Sequence, residues 1–122
     1  RITQKVVLLY DGDSAGAGAA IKAGWVLLKS GLEPLIVRPP EGQDPDDWIS
    51  NENNEDILKK ISSPETYLSY HISYNNALSL QGADRRKYII EITKEISSID
   101  DSIIKNEMFR ILSEKLQVDP KD

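Results

Sequence analysis

The residues of this sequence best suited to chemistry fall in two short acidic stretches. Asp11-Gly12-Asp13-Ser14-Ala15-Gly16 sets two carboxylates one residue apart on a glycine turn. Glu41-Gly42-Gln43-Asp44-Pro45-Asp46-Asp47 brings a second group of acids. Hard oxygen donors in this pattern suit a divalent cation, since Mg²⁺ takes one or two carboxylates together with phosphate oxygens and water. Neither stretch contains Lys or Arg, and Arg38 is the nearest cation. Carboxylates that converge without a basic partner repel one another, and a bound cation relieves that repulsion. Asp11, Asp13, Asp44 and Asp46 are therefore the candidate metal ligands. Two other readings of the same residues stand beside this one. In the first, Asp13 or Ser14 merely caps a helix and Asp44 caps another in a solvated loop. In the second, Gly12-Asp13-Ser14-Ala15-Gly16 is a nucleophile elbow with Ser14 as nucleophile. The elbow reading is opposed by the short chain and by its single histidine, His71, which lies in a helical stretch among Tyr70, Ile72 and Tyr74.

The elements around these stretches decide whether the acids can meet. Lys5-Val6-Val7-Leu8-Leu9-Tyr10 is a continuous apolar run ended by Asp-Gly, the pattern of a strand buried on both faces. Residues 14–30 predict a helix with Ala15, Ala19, Ala23, Val26 and Leu27 on one stripe. Gly31 is expected in the left-handed position just past its end. Leu35-Ile36-Val37 is a second strand, closed by Pro39-Pro40. Strand, helix, strand in this order is a βαβ unit with an expected right-handed crossover. Ligands of parallel sheets bind at the carboxyl ends of the strands, and both acidic stretches follow strand ends. Two strands cannot make a stable sheet alone, so neighbours are expected elsewhere in a longer protein or in another chain.

From Asp44 the pattern turns helical. A short turn of helix is expected over Asp44 to Ser50 and a helix over Asn54 to Ile61. Ser63-Pro64-Glu65 reads as a helix start, running to about Asn75. Ile89, Ile92 and Ile96 mark a helix over 83–98. Ile104, Met108, Ile111, Leu112 and Leu116 mark another over 101–117, capped by Asp100 or Asp101. The polar stretch Asn51 to Asp56 is the expected boundary between a part of α/β pattern, 1–50, and a helical part, 51–122.

Composition narrows the function classes. The chain has 122 residues, 15 Lys+Arg against 20 Asp+Glu, and a net charge of −5. That length fits one domain, or one and a half small ones. The acidic balance argues against a stand-alone nucleic-acid clamp, and the absence of Cys excludes disulfides and thiolate zinc sites. No apolar run approaches the roughly 20 residues of a membrane helix, so a soluble protein without a membrane partner is expected.

Val6-Val7-Leu8-Leu9-Tyr10-Asp11-Gly12-Asp13-Ser14-Ala15-Gly16 with Ala19-Ala20 resembles the Asp-Gly-Asp-x-Ala-Gly motif of the Toprim domain in bacterial DnaG-type primases. Val37-Arg38-Pro39-Pro40-Glu41-Gly42-Gln43-Asp44-Pro45-Asp46 is similar to that family's Leu-Pro-x-Gly-x-Asp-Pro-Asp segment, with Pro39 where Leu is usual. The helical remainder, closing on Ile111 to Val118, resembles the subdomain that follows. The resemblance implies an α/β fold, a partial Toprim with Rossmann-like parallel strands over 1–50, followed by an all-α subdomain over 51–122. It implies a piece of a cytoplasmic bacterial enzyme that copies single-stranded DNA into RNA primers from ribonucleotides. Asp11 and Asp13 would be catalytic, and with Asp44 and Asp46 would hold Mg²⁺ or Mn²⁺. The family's catalytic Glu, most of its basic residues, its zinc domain and its replicative-helicase-binding domain are expected outside this chain. The fragment alone is then expected to be inactive, and an exposed strand edge leads to an expectation of dimerisation. Another Toprim protein, such as a nuclease or phage primase-helicase, and a non-catalytic helical interaction module are the alternative functions.

Overall fold

The computed structural model describes residues 4–10, 14–39, 46, 48, 50 and 54–117. The expected βαβ unit is present. Strand β1 (Lys5–Leu9), helix α1 (Ser14–Lys29) and strand β2 (Glu33–Val37) follow one another, and the strands pair in parallel from Lys5 opposite Glu33 to Leu9 opposite Val37. α1 stops as its sequence directs. The Leu32 N–H bonds to the Leu27 carbonyl at 2.9 Å and the Gly31 N–H to the Leu28 carbonyl at 3.1 Å. Gly31 takes φ +84°, which a side chain would strain.

The helical remainder comprises α2 (Asn54–Ser62), α3 (Tyr67–Tyr74), a 3₁₀ turn (Ala77–Ser79), α4 (Gly82–Ser97) and α5 (Ser102–Leu116). Asp101 caps α5, its carboxylate accepting from the Ile103 and Ile104 N–H groups at 2.9 and 3.1 Å. Tyr88, Ile92 and Ile96 on α4 and Ile104, Met108, Leu112 and Leu116 on α5 recur at four-residue spacing, so each helix buries one stripe. Arg85 ties the pair together by donating to the Leu116 carbonyl at 2.7 Å, which satisfies an otherwise open carbonyl at the end of α5. These stripes meet Ala17, Ala20 and Leu28 of α1 and Ile36 of β2 in one apolar cluster. The described residues Asp46, Trp48 and Ser50 are helical, in the stretch where a short turn of helix is expected.

Three expectations are corrected. The Ser63-Pro64-Glu65 helix start is instead a short strand, β3 (Glu65–Thr66), antiparallel to β2, and the sheet order is β1-β2-β3. The free side of β2 recruits these residues through Leu35 and Ile36, and Thr66 caps α3 in place of Ser63, accepting from the Ser69 N–H at 3.3 Å. β1 is not buried on both faces: Lys5 and Val7 (45%) are exposed while Val6 and Leu8 are half-buried, an alternation that shows one face largely uncovered among the described residues. Finally, α1 is rotated from the expected stripe. Ala17, Ala20, Gly24 and Leu28 face inward, while Ala19 is exposed and Val26 is 64% exposed. An Ala- and Gly-rich helix is weakly patterned, so packing sets its rotation.

That packing is a close contact between α1 and α3. Tyr67 lies flat enough against Gly24 that an added Cβ would overlap its ring, at 2.7 Å from Cζ and closer still to two other ring atoms. The Tyr67 hydroxyl donates to the Ile21 carbonyl at 2.6 Å, and burial raises its pKa well above the ordinary tyrosine value. Trp25 packs edge-on against Tyr67 and His71, at 5.2 and 5.6 Å between ring centroids. His71 Nδ1 lies 2.9 Å from the Tyr88 hydroxyl and 3.2 Å from Asn75 Nδ2. The amide nitrogen can only donate, so Nδ1 accepts and the ring is neutral with its proton on Nε2. Burial lowers the His71 pKa to about 4, against a smaller opposing pull from Glu95. The lone histidine is a packing residue of an aromatic junction.

Two predictions follow from this junction. Gly24→Ala gains about 1 kcal/mol of helix propensity but forces the Tyr67 ring aside, at a typical cost of about 1–3 kcal/mol. Net destabilisation in denaturant melts is expected, whereas Gly18→Ala, whose Cβ would meet only the Tyr74 hydroxyl at 3.8 Å, is expected to be neutral or stabilising. For His71, the unfolded chain takes up a proton near pH 6.5 that the folded chain resists until about pH 4. Its contribution is therefore complete above pH 6.5 and is lost as pH falls towards 4, by up to roughly 3 kcal/mol at about 1.4 kcal/mol per pKa unit. Stability–pH curves should be steeper in this window for the natural chain than for His71→Gln. Parallel curves would show that His71 is not held neutral.

Candidate metal centre at the strand ends

Parallel pairing sets the geometry of the candidate site. Leu9 and Val37 are opposite one another at the carboxyl ends of β1 and β2. The pairing continues one residue further, with the Tyr10 N–H donating to the Val37 carbonyl at 3.4 Å. Asp11 is the next residue on one side, and the acidic stretch from Glu41 follows Pro39-Pro40 on the other. Both stretches thus leave the sheet from adjacent strands at the same end, where ligands of parallel α/β sheets bind.

Of the four candidate ligands, Asp46 is described; it is exposed and helical. Asp11, Asp13 and Asp44 lie outside the described residues, as does the side chain of Ser14. Among the described residues no group of three or more acidic, His or Cys side chains stands close enough to hold a metal. The donor set itself fits Mg²⁺ or Mn²⁺: it is made of carboxylates alone, the hard oxygen ligands these ions take.

Two features beside the site were not apparent in the sequence. Arg38, one residue past β2, forks onto Glu65 of β3, with Nε 3.0 Å from Oε1 and Nη2 3.1 Å from Oε2. Its guanidinium also lies over the Tyr70 ring, 4.5 Å from the centroid. Both ion-pair side chains are partly exposed, at 43% and 31%, so the pair contributes little stability, about 0–1 kcal/mol. Its planar fork nevertheless has a defined geometry. The second feature is Trp48, two residues past Asp46 and 1% exposed. The apolar pair Trp48-Ile49 between polar stretches was the sequence signal that could have marked it as buried.

Comparison with known proteins agrees with this fold. Residues 1–49 match the family model described as Toprim-like. The DNA primase of Staphylococcus epidermidis is 31% identical over 123 aligned positions, covering 99% of this chain and 21% of that protein. The chain spans about a fifth of the length of the curated relatives it matches. Among solved structures, a DnaG catalytic core superposes with a TM-score of 0.74 at 24% identity, over 95% of this chain and 39% of that one. A DnaG primase catalytic domain bound to ssDNA gives a TM-score of 0.72 at 22% identity, over 89% of this chain and 37% of that one. These two likenesses speak for the fold. Among the described residues no helix is long and apolar enough to cross a membrane. In sequence along its whole length, and in the fold of its described residues, the chain is related to part of the catalytic core of bacterial DnaG-type DNA primases.

Proposed function

We propose that this chain supplies the acid-bearing part of a primase core, a DNA-directed RNA polymerase that makes short RNA primers on a single-stranded DNA template. One observation carries this reading: β1 and β2 end side by side, in register, a few residues before the two acidic stretches. In this reading Asp11, Asp13, Asp44 and Asp46 hold Mg²⁺ or Mn²⁺, with Asp11 and Asp13 nearest the chemistry. The metal, when bound, supplies positive charge against the nucleotide phosphates in an in-line displacement. The carboxylates bind and orient it, and β1 and β2 keep their two groups from drifting apart. Backbone N–H groups at the start of α1, from Ser14, favour phosphate oxygens at the same end of the sheet.

Residues 1–50 are assigned to the C-terminal part of a Toprim domain and 51–122 to the helical subdomain that supports it. Because the chain spans about a fifth of its relatives, primer synthesis is assigned to the parent protein in the bacterial cytoplasm, and the isolated chain is expected to be inactive. Template DNA and ribonucleotides are the parent's partners. A zinc site, the replicative-helicase contact and the remaining catalytic residues are assigned to other segments of the parent. The side of β1 left unpaired among the described residues is the surface through which two isolated copies would pair.

In the full-length parent, Asp11→Asn and Asp13→Asn are each expected to lower primer synthesis about 10²-fold or more, the scale of losing one electrostatic stabiliser of the transition state. Thermal melting should be nearly unchanged. Full synthesis by both variants would overturn the assignment.

A further inference from the structure

A concavity of about 680 Å³ between α3, the 3₁₀ turn and α5 collects hydrogen-bond donors that the fold leaves unused. Ser69 and Ser73 stand one turn apart on one face of α3. Elsewhere Ser30 and Ser113 return their hydroxyls to the carbonyl four residues back, at 2.9 Å each. Ser69 and Ser73 both line the concavity, and their hydroxyls have no partner among the described residues. Asn76 opens the 3₁₀ turn at φ +50°, and its side chain takes no part in capping it. Its carbonyl is already occupied, accepting from the Ser79 N–H at 3.0 Å and from the Ser79 hydroxyl at 2.9 Å. Lys115, in the last turn of α5, adds an ammonium with no ion-pair partner among the described residues. The one carboxylate among the described lining residues, Glu65, is held by Arg38. What remains unmatched is a set of donors and one positive charge.

We propose that this concavity binds a backbone phosphate of a single-stranded nucleic acid, with Lys115 supplying charge and Ser69, Ser73 and Asn76 supplying hydrogen bonds. The oxygens of a phosphodiester only accept, which matches a lining whose free groups donate. Ile72, buried, and Leu78, 73% exposed, put apolar surface beside these donors. A single strand has bases free to rest on such a surface, whereas a duplex keeps them stacked inside. The location suits a strand near the acids. Glu65 pairs with Ile36, the next-to-last residue of β2, so the concavity adjoins the carboxyl end of the sheet. The choice of a nucleic acid rests on the primase reading above. One ammonium makes this a single contact along a strand and not a clamp.

The test follows amide signals of the isotope-labelled 122-residue chain, without metal, as four probes are added in turn. These are oligo-dT and oligo-U of about 12 nucleotides, a DNA duplex of the same length, and inorganic phosphate. Signals of Ser69, Ser73, Asn76 and Lys115 should shift together with the single strands. Tighter binding of oligo-dT assigns the concavity to the template, and tighter binding of oligo-U to the primer. Affinity should fall with salt at a slope of about −0.7 on logarithmic axes, the value for one neutralised phosphate. Lys115→Ala should flatten that slope and weaken binding about tenfold, the scale of a hydrogen bond to a charged group. Leu78→Ala should weaken the oligonucleotides and leave phosphate unaffected. Asn76→Gly keeps the left-handed backbone, should weaken binding as well, and reads the same site if Lys115→Ala disturbs α5. Absence of shifts at these residues would overturn the proposal. So would shifts shared by every basic residue, an equal response to the duplex, or phosphate binding as tightly as the strands. Failure of the metal reading in the Asp11 and Asp13 variants leaves the result untouched, because neither metal nor synthesis enters it.

Discussion

A parallel pair of strands must have its chain carried back to the starting end of the sheet, and here α1 does this while packed closely on α3. Only a glycine at position 24 leaves room for the Tyr67 ring. The hydroxyl of that ring then grips α1 at the Ile21 carbonyl. Trp25, His71 and Tyr88 extend the contact from α1 through α3 to α4, and Lys29 reaches Glu95 of α4 at 3.2 Å. The placement of α1 therefore fixes two things together: the register of β1 on β2, and the seat of the helices beneath the sheet. The sheet and helices share one core, so a disturbance at Gly24 is expected to reach the strand ends.

The order of elements was legible because it rests on local signals. Apolar runs ending in Asp-Gly and Pro-Pro bounded β1 and β2, apolar residues at three- and four-residue spacing marked α4 and α5, and Gly31 and Asp101 marked a stop and a start. What was not legible depended on partners distant in sequence. The rotation of α1 is set by Tyr67, 43 positions after Gly24, and an Ala-rich helix carries too little contrast to announce it. Glu65 and Thr66 look like the first turn of a helix after Ser63-Pro64, yet the free side of β2 draws them into the sheet. The chemistry of the site was legible in Asp11, Asp13, Asp44 and Asp46 as residue types. Their common end of the sheet follows from strand pairing, and the clamp of Arg38 on Glu65 and Tyr70 joins residues 27 and 32 positions apart.

The helical part thus does more than close the core. It contributes Glu65 and Tyr70 to the exit of β2, and its α3 carries the tyrosine that sets α1. The whole-chain relation to bacterial primases fits this arrangement, because the matching region runs through the helices as well as the Toprim-like part.

The central claim is that the acids after β1 and those after β2 share one cation at one end of the sheet. Mn²⁺ is paramagnetic, and its effect on backbone amide signals of the isotope-labelled chain tests this most directly. Tyr10 and Arg38 stand at the end where the acids emerge, and Gln4 and Leu32 at the other. Strands of this length separate the two ends by about 3.3 Å per residue. Substoichiometric Mn²⁺ should broaden the Tyr10 and Arg38 amides together while Gln4 and Leu32 stay sharp. Broadening of one strand end without the other, or equal broadening of both ends of the sheet, would contradict a shared site.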